Sequence, residues 1–419
     1  MSELPNQSST QTANWPWPLA VIILIYVALA VAYSIVTPIG RGADEWAHYW
    51  YAQFIAEHHR LPTSPAERET AGYKSDWPPL YHLAAAAVTG WVETEGPPTF
   101  KYRADSIRRQ LIPAQGPEAI VHTEDELFPW QQEILVWHLG RFLSIAFSAG
   151  TLLVTYFISL ELFTDYELRV ASSGLRSATF ALISTAVLAF NPRFLFTGML
   201  FNYDSLTLLL ASLFVWLAIR VAKGLHSRWG FWGLGALAGL ALVTKYLTLL
   251  LPLVIALVAW LRISRHSSLV TRHWSVLRHR RFWTSIGQAA VAYVFVCGWW
   301  FVYLIINFNQ IDTYGPLLGT LAPLIRGDGS DRTLEQLFAW FSGGQAPPPA
   351  HIETQTYTAG QIISSFFTTF WGNPISQPYP LNWFIAAMTI VMGLALIGLF
   401  IQLRTTNTEL RISAFLFVT

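Results

Sequence analysis

The sequence predicts an all-α polytopic membrane protein, with about eight spanning helices and further helices lying at the membrane surface. Three features carry this prediction. Of 419 residues, 53% are hydrophobic and 15% aromatic, while only 12% are charged, about half the charged share of a soluble domain. Apolar runs of spanning length recur without the strict alternation of a membrane barrel, so helices must satisfy the backbone within hydrocarbon. Basic residues gather in alternate connections, the pattern that orients helices across a bilayer.

Taken in order, residues 1–16 carry Glu3 but no Lys or Arg. They lack the basic region of a signal peptide and are expected to form a disordered cytoplasmic tail. Pro18 to Val36 is free of charge and, at 1.5 Å per residue, crosses about 30 Å of hydrocarbon as an uncleaved anchor. Further runs lie near 135–162, 177–197, 204–222, 229–244, 246–261, 283–306 and 382–403, and a last one starts at Ile412. Those at 229–244 and 246–261 are short and meet at Lys245, so they form two spans or one bent hairpin. Residues 78–92, PPLYHLAAAAVTGWV, are too short for a comfortable span. They predict a helix at the outer interface, opened by Pro78 and Pro79 and suited to that depth by Trp77, Tyr81 and Trp91. Residues 17–419 thus read as one transmembrane domain. The chain stops inside what reads as a new span, as a fragment or a truncated product would.

Placing the N-terminus in the cytoplasm puts half of the 26 Lys and Arg into four short inner connections, the densest running from Arg262 to Arg281. Most of the 25 acids then fall in extracytoplasmic regions 38–134 and 307–381. The expected location is the cell membrane, multi-pass, with any active site on the extracytoplasmic face. A net charge of +1 offers no basic field for nucleic acid. The single cysteine, Cys297, lies in an apolar run and supports neither a disulfide framework nor a cysteine metal site. No Walker loop, GxSxG elbow, HExxH helix or dinucleotide glycine fingerprint is present, so energy and nucleophile must come with the substrates.

Asp44 and Glu45 stand within a few residues of the anchor's end and open a stretch to His58 with an amphipathic pattern. Trp46, Tyr49, Trp50, Phe54 and Ile55 supply its apolar side; Glu45, His48, Gln53 and Glu57 supply the polar one. Asp44 is either an acid held for chemistry at the membrane surface or simply an Asp favoured by a helix N-terminus. Asp204 stands near Asn191, Arg193 and Asn202; an ionisable group at membrane depth is costly and tends to serve function, although it can also cap a helix. Lys245 is the only base between Arg228 and Arg262, placed to meet a lipid phosphate or to snorkel. Arg141, early in the second span, suits an internal ion pair. His48, His58, His59, His82 and His122, with Asp44 and Glu45, offer ligands for a possible divalent cation. Their spacing is not that of a regular metal site, and no metal ligand is assigned.

The strings ADEWAHY (43–49), DWPPLYHL (76–83), NPRFLF (191–196), NYDS (202–205) and GLALVTK (239–245), in that order, resemble the GT-C superfamily of polyprenyl-phosphate-sugar glycosyltransferases. The nearest branch holds protein O-mannosyltransferases, lipid A aminoarabinose transferases and lipopolysaccharide galacturonosyltransferases. The likeness covers roughly residues 15–306, with FWGNP at 370–374 a weaker echo. It implies a GT-C-like helix bundle that moves a sugar from a polyprenyl-phosphate donor to a lipid, glycan or protein acceptor. It also implies Asp44 as general base with Glu45 beside it, Asp204 as a second acid orienting the acceptor or a cation, and Lys245 facing the carrier phosphate. Substrate contacts are expected from His48, Lys74, Tyr81, Arg193, Asn202 and Lys245. The charge-rich stretch 93–134 is longer than in many relatives and is expected on the acceptor side. The competing expectation is a non-catalytic transporter or flippase of lipid-linked intermediates. Such proteins tend to bury ionisable groups at the bilayer midplane within inverted repeats.

Overall fold

A computed structural model describes residues 17–42, 44–94, 122, 124–167, 177–225, 229–265 and 273–308. The expected spans at 382–403 and beyond Ile412, the region 307–381 apart from its first two residues, and most of 93–134 lie outside them. Among the described residues there are eleven α-helices and no strand. They are α1 (Trp17–Val36), α2 (Glu45–His58), α3 (Pro65–Ala71), α4 (Leu80–Thr89), α5 (Gln132–Glu167) and α6 (Ser177–Ala189). The others are α7 (Pro192–Met199), α8 (Asp204–Ala222), α9 (Gly230–Leu242), α10 (Leu251–Arg265) and α11 (Arg280–Phe308).

The chain is an all-α polytopic membrane protein. Five helical segments are long and apolar enough to cross a bilayer: α1, most of α5, α8, Tyr246–Ser264 and α11. A sixth forms if α6 and α7, bent by 64° where they meet, count as one broken span. The bend follows from the sequence: Pro192 removes a helical N–H, and the Asn191 side chain accepts from the backbone N–H groups of Arg193 and Phe194, starting a new helix. Helix α9 has 13 residues, about 20 Å of rise, and is apolar but falls short of spanning length. The run that follows Lys245, expected to be as short, is of spanning length as Tyr246–Ser264.

Small residues let α9 approach α11 backbone to backbone. A Cβ on Gly235 would sit 2.1 Å from the Ala289 carbonyl oxygen, and one on Gly239 would lie 2.9 Å from Val296 Cβ. That contact fixes the end of α9, and therefore Lys245. The outward faces are apolar, as hydrocarbon requires: Phe295 is 86% exposed and Ile306 75%. An apolar hollow of about 560 Å³, lined by Trp229, Trp232, Gly233, Ala236 and Phe295 among others, opens on the flank of α9 and α11 well before Lys245. It offers no charged group to a substrate.

One end of the bundle gathers the termination of α1, the start of α5, the end of α7, the start of α8 and the ends of α9 and α11. Helices α2, α3 and α4 are laid over that end. Helix α4 is the ten-residue helix read from PPLYHL; its Leu80 N–H donates to the Val243 carbonyl at 2.9 Å, tying it to the end of α9. Helix α3 starts on Ser64, whose hydroxyl accepts from Glu67 N–H, and ends at Gly72, which takes φ +80°. Helix α2 departs from the expected amphipathic surface helix. Glu45, His48 and Gln53, assigned to its polar side, are buried: Glu45 turns into the bundle against Arg141, and α4 packs over His48 through His82.

Candidate functional site

Two consecutive acids at the head of α2 have opposite surroundings. A helix turns about 100° per residue, so neighbouring side chains face different elements. Glu45 points into the bundle and meets Arg141 of α5 in a two-pronged ion pair, 3.0 Å on each prong, both side chains being 0% exposed. Glu45 also accepts from the backbone N–H of Phe201 (2.9 Å) and of Gly42 (3.1 Å). Arg141 spends its remaining donors on the carbonyls of Ser34 (2.6 Å), Thr37 (2.8 Å) and Pro38 (3.1 Å). This is the internal ion pair expected of Arg141, and it clamps the ends of α1 and α7 to α5. Glu45 is fully engaged and faces away from the surface.

Asp44 sits in the left-handed region at φ 63°, where Asp and Asn are better tolerated than most residues. Its carboxylate makes no cap hydrogen bond to α2 and is 45% exposed. One oxygen accepts from the Tyr73 hydroxyl, and the other lies 2.9 Å from Lys74 Nζ. Burial raises its pKa, but hydrogen bonds from Lys74 and Tyr73 and the charges of Lys74 and Lys245 outweigh that effect. The carboxyl is therefore held below its ordinary value. The Tyr73 phenol moves up, through burial and then its bond to Asp44, so it stays a donor.

Lys74 Nζ also reaches the Tyr203 hydroxyl at 3.3 Å. Tyr203 ends the turn before α8, and two ammonium groups lie over its ring, Lys74 at 5.3 Å and Lys245 at 4.7 Å from the centroid. Lys245 in turn pairs with Asp204 at 2.5 Å. Asp204 is not the cap of α8: Asn202 accepts from the Asp204 N–H at 2.8 Å, which leaves the Asp204 carboxylate for Lys245. The row Asp44–Lys74–Tyr203–Lys245–Asp204 thus joins residues from the head of α2, the 73–76 turn, the head of α8 and the end of α9. Trp77 packs beneath, 5.9 Å from both Tyr203 and Tyr246, and Tyr246 accepts from Trp300 Nε1 at 2.7 Å, which anchors this row to α11.

Behind Tyr203 lie two fully buried histidines. His48 Nδ1 and His82 Nε2 share a hydrogen bond of 2.9 Å, and His48 meets the Tyr203 ring edge-on at 4.5 Å. Burial, helped by the Lys74 charge, pushes His82 down to about 3; burial and the neighbouring His82 push His48 well below the usual histidine range. Both are neutral packing groups near pH 7. Tyr81 is buried as well, its hydroxyl 2.7 Å from Ser144, so it supports the site from behind. Arg193 is half-buried at the α6–α7 bend and makes no ion pair among the described residues.

Among the described residues, no three His, Cys, Asp or Glu side chains gather to hold a metal ion. The acids proposed for a divalent cation are held by Arg141, Lys74 and Lys245, so these donors do not fit one in this arrangement. Sequence reasoning missed Tyr73 and Tyr203. Their only signal was adjacency, to Lys74 and to Asp204, and adjacency does not reveal that both hydroxyls would meet the same row.

The fold and this row define an all-α membrane protein with paired acids and lysines at one end of its bundle. Residues 172–300 match the family model described as dolichyl-phosphate-mannose-protein mannosyltransferase. The matched stretch takes in Arg193, Asn202, Asp204 and Lys245 and leaves Asp44, Glu45, His48, Lys74 and Tyr81 outside it. No curated protein and no solved structure matches the chain.

Proposed function

We propose that the protein is an integral membrane glycosyltransferase, moving a sugar from a polyprenyl-phosphate donor to an acceptor on the extracytoplasmic face of the cell membrane. The observation that carries this reading is the row Asp44–Lys74–Tyr203–Lys245–Asp204, two carboxylates and two ammonium groups around one phenol ring. The family match across its second half supports the same reading.

The leaving group in such a transfer is a lipid phosphate, and fixed positive charge stabilises it as the glycosidic bond breaks. Lys245 and Lys74, both close to the Tyr203 ring, supply that charge. The half-exposed Asp44 carboxylate takes the proton of the acceptor nucleophile, and Asp204 orients the acceptor or holds Lys245. A single base and an in-line attack give inversion at the sugar carbon. His48, Tyr81 and Asn202 act by holding Tyr203 and the head of α8 in place. With the N-terminus in the cytoplasm, this end of the bundle faces the extracytoplasmic side, where the acceptor is a lipid, glycan or protein.

The alternative, a transporter or flippase, is less favoured because these charges lie at one end of the bundle and not halfway along its spans. The deciding experiment measures sugar transfer from a labelled polyprenyl-phosphate donor in membranes containing wild type or Asp44→Asn. Loss of at least about 10²-fold is expected, the usual worth of a general base. Unchanged turnover removes Asp44 from the mechanism.

A further inference from the structure

We propose that an anionic phospholipid binds at the end of the bundle away from Asp44 and Lys245, with one acyl chain in the hollow between α9 and α11 and its headgroup on Arg280 and Arg281. The site uses none of the residues assigned to transfer and stands apart from the transferase reading. The hollow measures about 560 Å³, within the size range of small-ligand sites, and Trp229, Trp232, Val291 and Phe295 give it an apolar lining. It opens on a flank whose other side chains, such as the exposed Val294 and Val302, also face hydrocarbon. A lipid chain is therefore its natural neighbour.

Which lipid fits follows from the helix face below the hollow. Arg281, Gln288 and Phe295 are spaced seven residues apart, close to two full turns, so they repeat along one face of α11. Phe295 lines the hollow, and the same face becomes polar through Gln288 and Thr284 before it reaches Arg281. Arg281 is exposed, as are Arg278 and Arg280 beside it, and none of the three makes an ion pair among the described residues. Depth is fixed by the glycine contacts: Gly235 meets Ala289 and Gly239 meets Val296, so α9 and α11 run in the same direction. Trp229 and Trp283, each six residues before the first of these contacts, stand at one level, and both are exposed. Such rings collect at headgroup depth, which places Arg280 and Arg281 among the phosphates.

Charge complementarity selects the headgroup. A zwitterionic lipid brings its own cation to the arginines, whereas an anionic one offers phosphate oxygens to two guanidinium groups without that repulsion. Arg220, also a guanidinium at a helix end, is already paired with Glu161, so recognition falls to the exposed arginines at the head of α11. A basic residue near an anionic membrane surface contributes about fivefold in affinity. The seated chain covers the flank on which α9 meets α11 through glycines, so the lipid is expected to stabilise that packing.

The test is native mass spectrometry of the full chain, released from micelles after incubation with equal amounts of phosphatidylglycerol and phosphatidylcholine carrying the same acyl chains. Wild type is expected to retain phosphatidylglycerol over phosphatidylcholine by at least about fivefold. Arg280→Gln with Arg281→Gln, both at exposed positions, should bring the two lipids to near-equal retention. Two variants fill the hollow without touching the arginines: Ala236→Phe, and Val291→Trp from its exposed side. Each should lose retention of phosphatidylglycerol. Equal retention of the two lipids by wild type overturns the proposal. So does phosphatidylglycerol held as well by both filled variants, which would leave the arginines on bulk headgroups. Paired chains that retain no lipid and separate when the hollow is filled would give the hollow to a second copy. Single chains that retain no lipid, with unfolding temperatures lowered by both fillings, would give it to this chain's own apolar run at 382–403.

Discussion

Asp44 and Glu45 are neighbours in the chain with the same charge, yet one is clamped inside the bundle and the other is exposed at its end. Glu45 is sealed against Arg141 with every acceptor used, whereas Asp44 is half-exposed and held by one contact each from Lys74 and Tyr73. The difference teaches that an acid pair cannot be assigned as a unit: burial and partners decide each side chain's role. Charge removal at each position should therefore fail in different ways.

The largest expected effect is from Glu45→Gln, which leaves Arg141 charged, buried and without its anion. Breaking one side of such a pair costs about 3–5 kcal/mol, to be seen as a fall in the thermal unfolding temperature of the purified protein. Normal unfolding would erase the contrast. Replacing both partners, Glu45→Met with Arg141→Met, should recover only part, since the carbonyls of Ser34, Thr37 and Pro38 lose their donor as well.

Next comes Asp44→Asn, already expected to lower transfer at least about 10²-fold. Here the contrast is sharpened by stability: unfolding should shift by no more than about 1 kcal/mol, because a half-exposed pair contributes little. A large loss of folded protein would place Asp44 with Glu45 after all.

A third measurement follows the buried histidines with pH. His82 binds its proton near pH 3 in the folded protein and near 6.5 when unfolded, so between those values the unfolded chain holds more protons. Stability is accordingly expected to fall as pH drops below about 6.5, by up to about 1.4 kcal/mol per pH unit for one such group. His82→Leu should flatten that slope; a slope unchanged by the substitution would show that other groups dominate. The smallest effect on transfer is expected from Gly235→Ala, whose added carbon meets the Ala289 carbonyl. It should cost about 1–3 kcal/mol by pushing α9 off α11, with transfer reduced only modestly through Lys245.

Much of the fold was legible because hydropathy is a local property that adds up along a span. The runs at 18–36, 204–222 and 283–306 each became helices of that kind, and the two prolines before Leu80 did open a helix. The site was partly legible: Asp44, Asp204 and Lys245 were named from their places beside apolar runs, and the structure joins them through Lys74 and Tyr203. Less legible was the burial of His48 and Tyr81: the family resemblance suggested contact with substrate, whereas His48 packs under α4 and Tyr81 faces Ser144 of α5.

By itself, the sequence determined the class of protein, most of the described spans and the bend at Asn191, since each depends on residues within one or two helical turns. Only the tertiary structure decided which acid is clamped and which is exposed, because that depends on Arg141 meeting Glu45 across 96 positions and Lys74 meeting Tyr203 across 129. Such contacts are set by how α2 and the 73–76 turn pack against the bundle, and no local pattern records that packing.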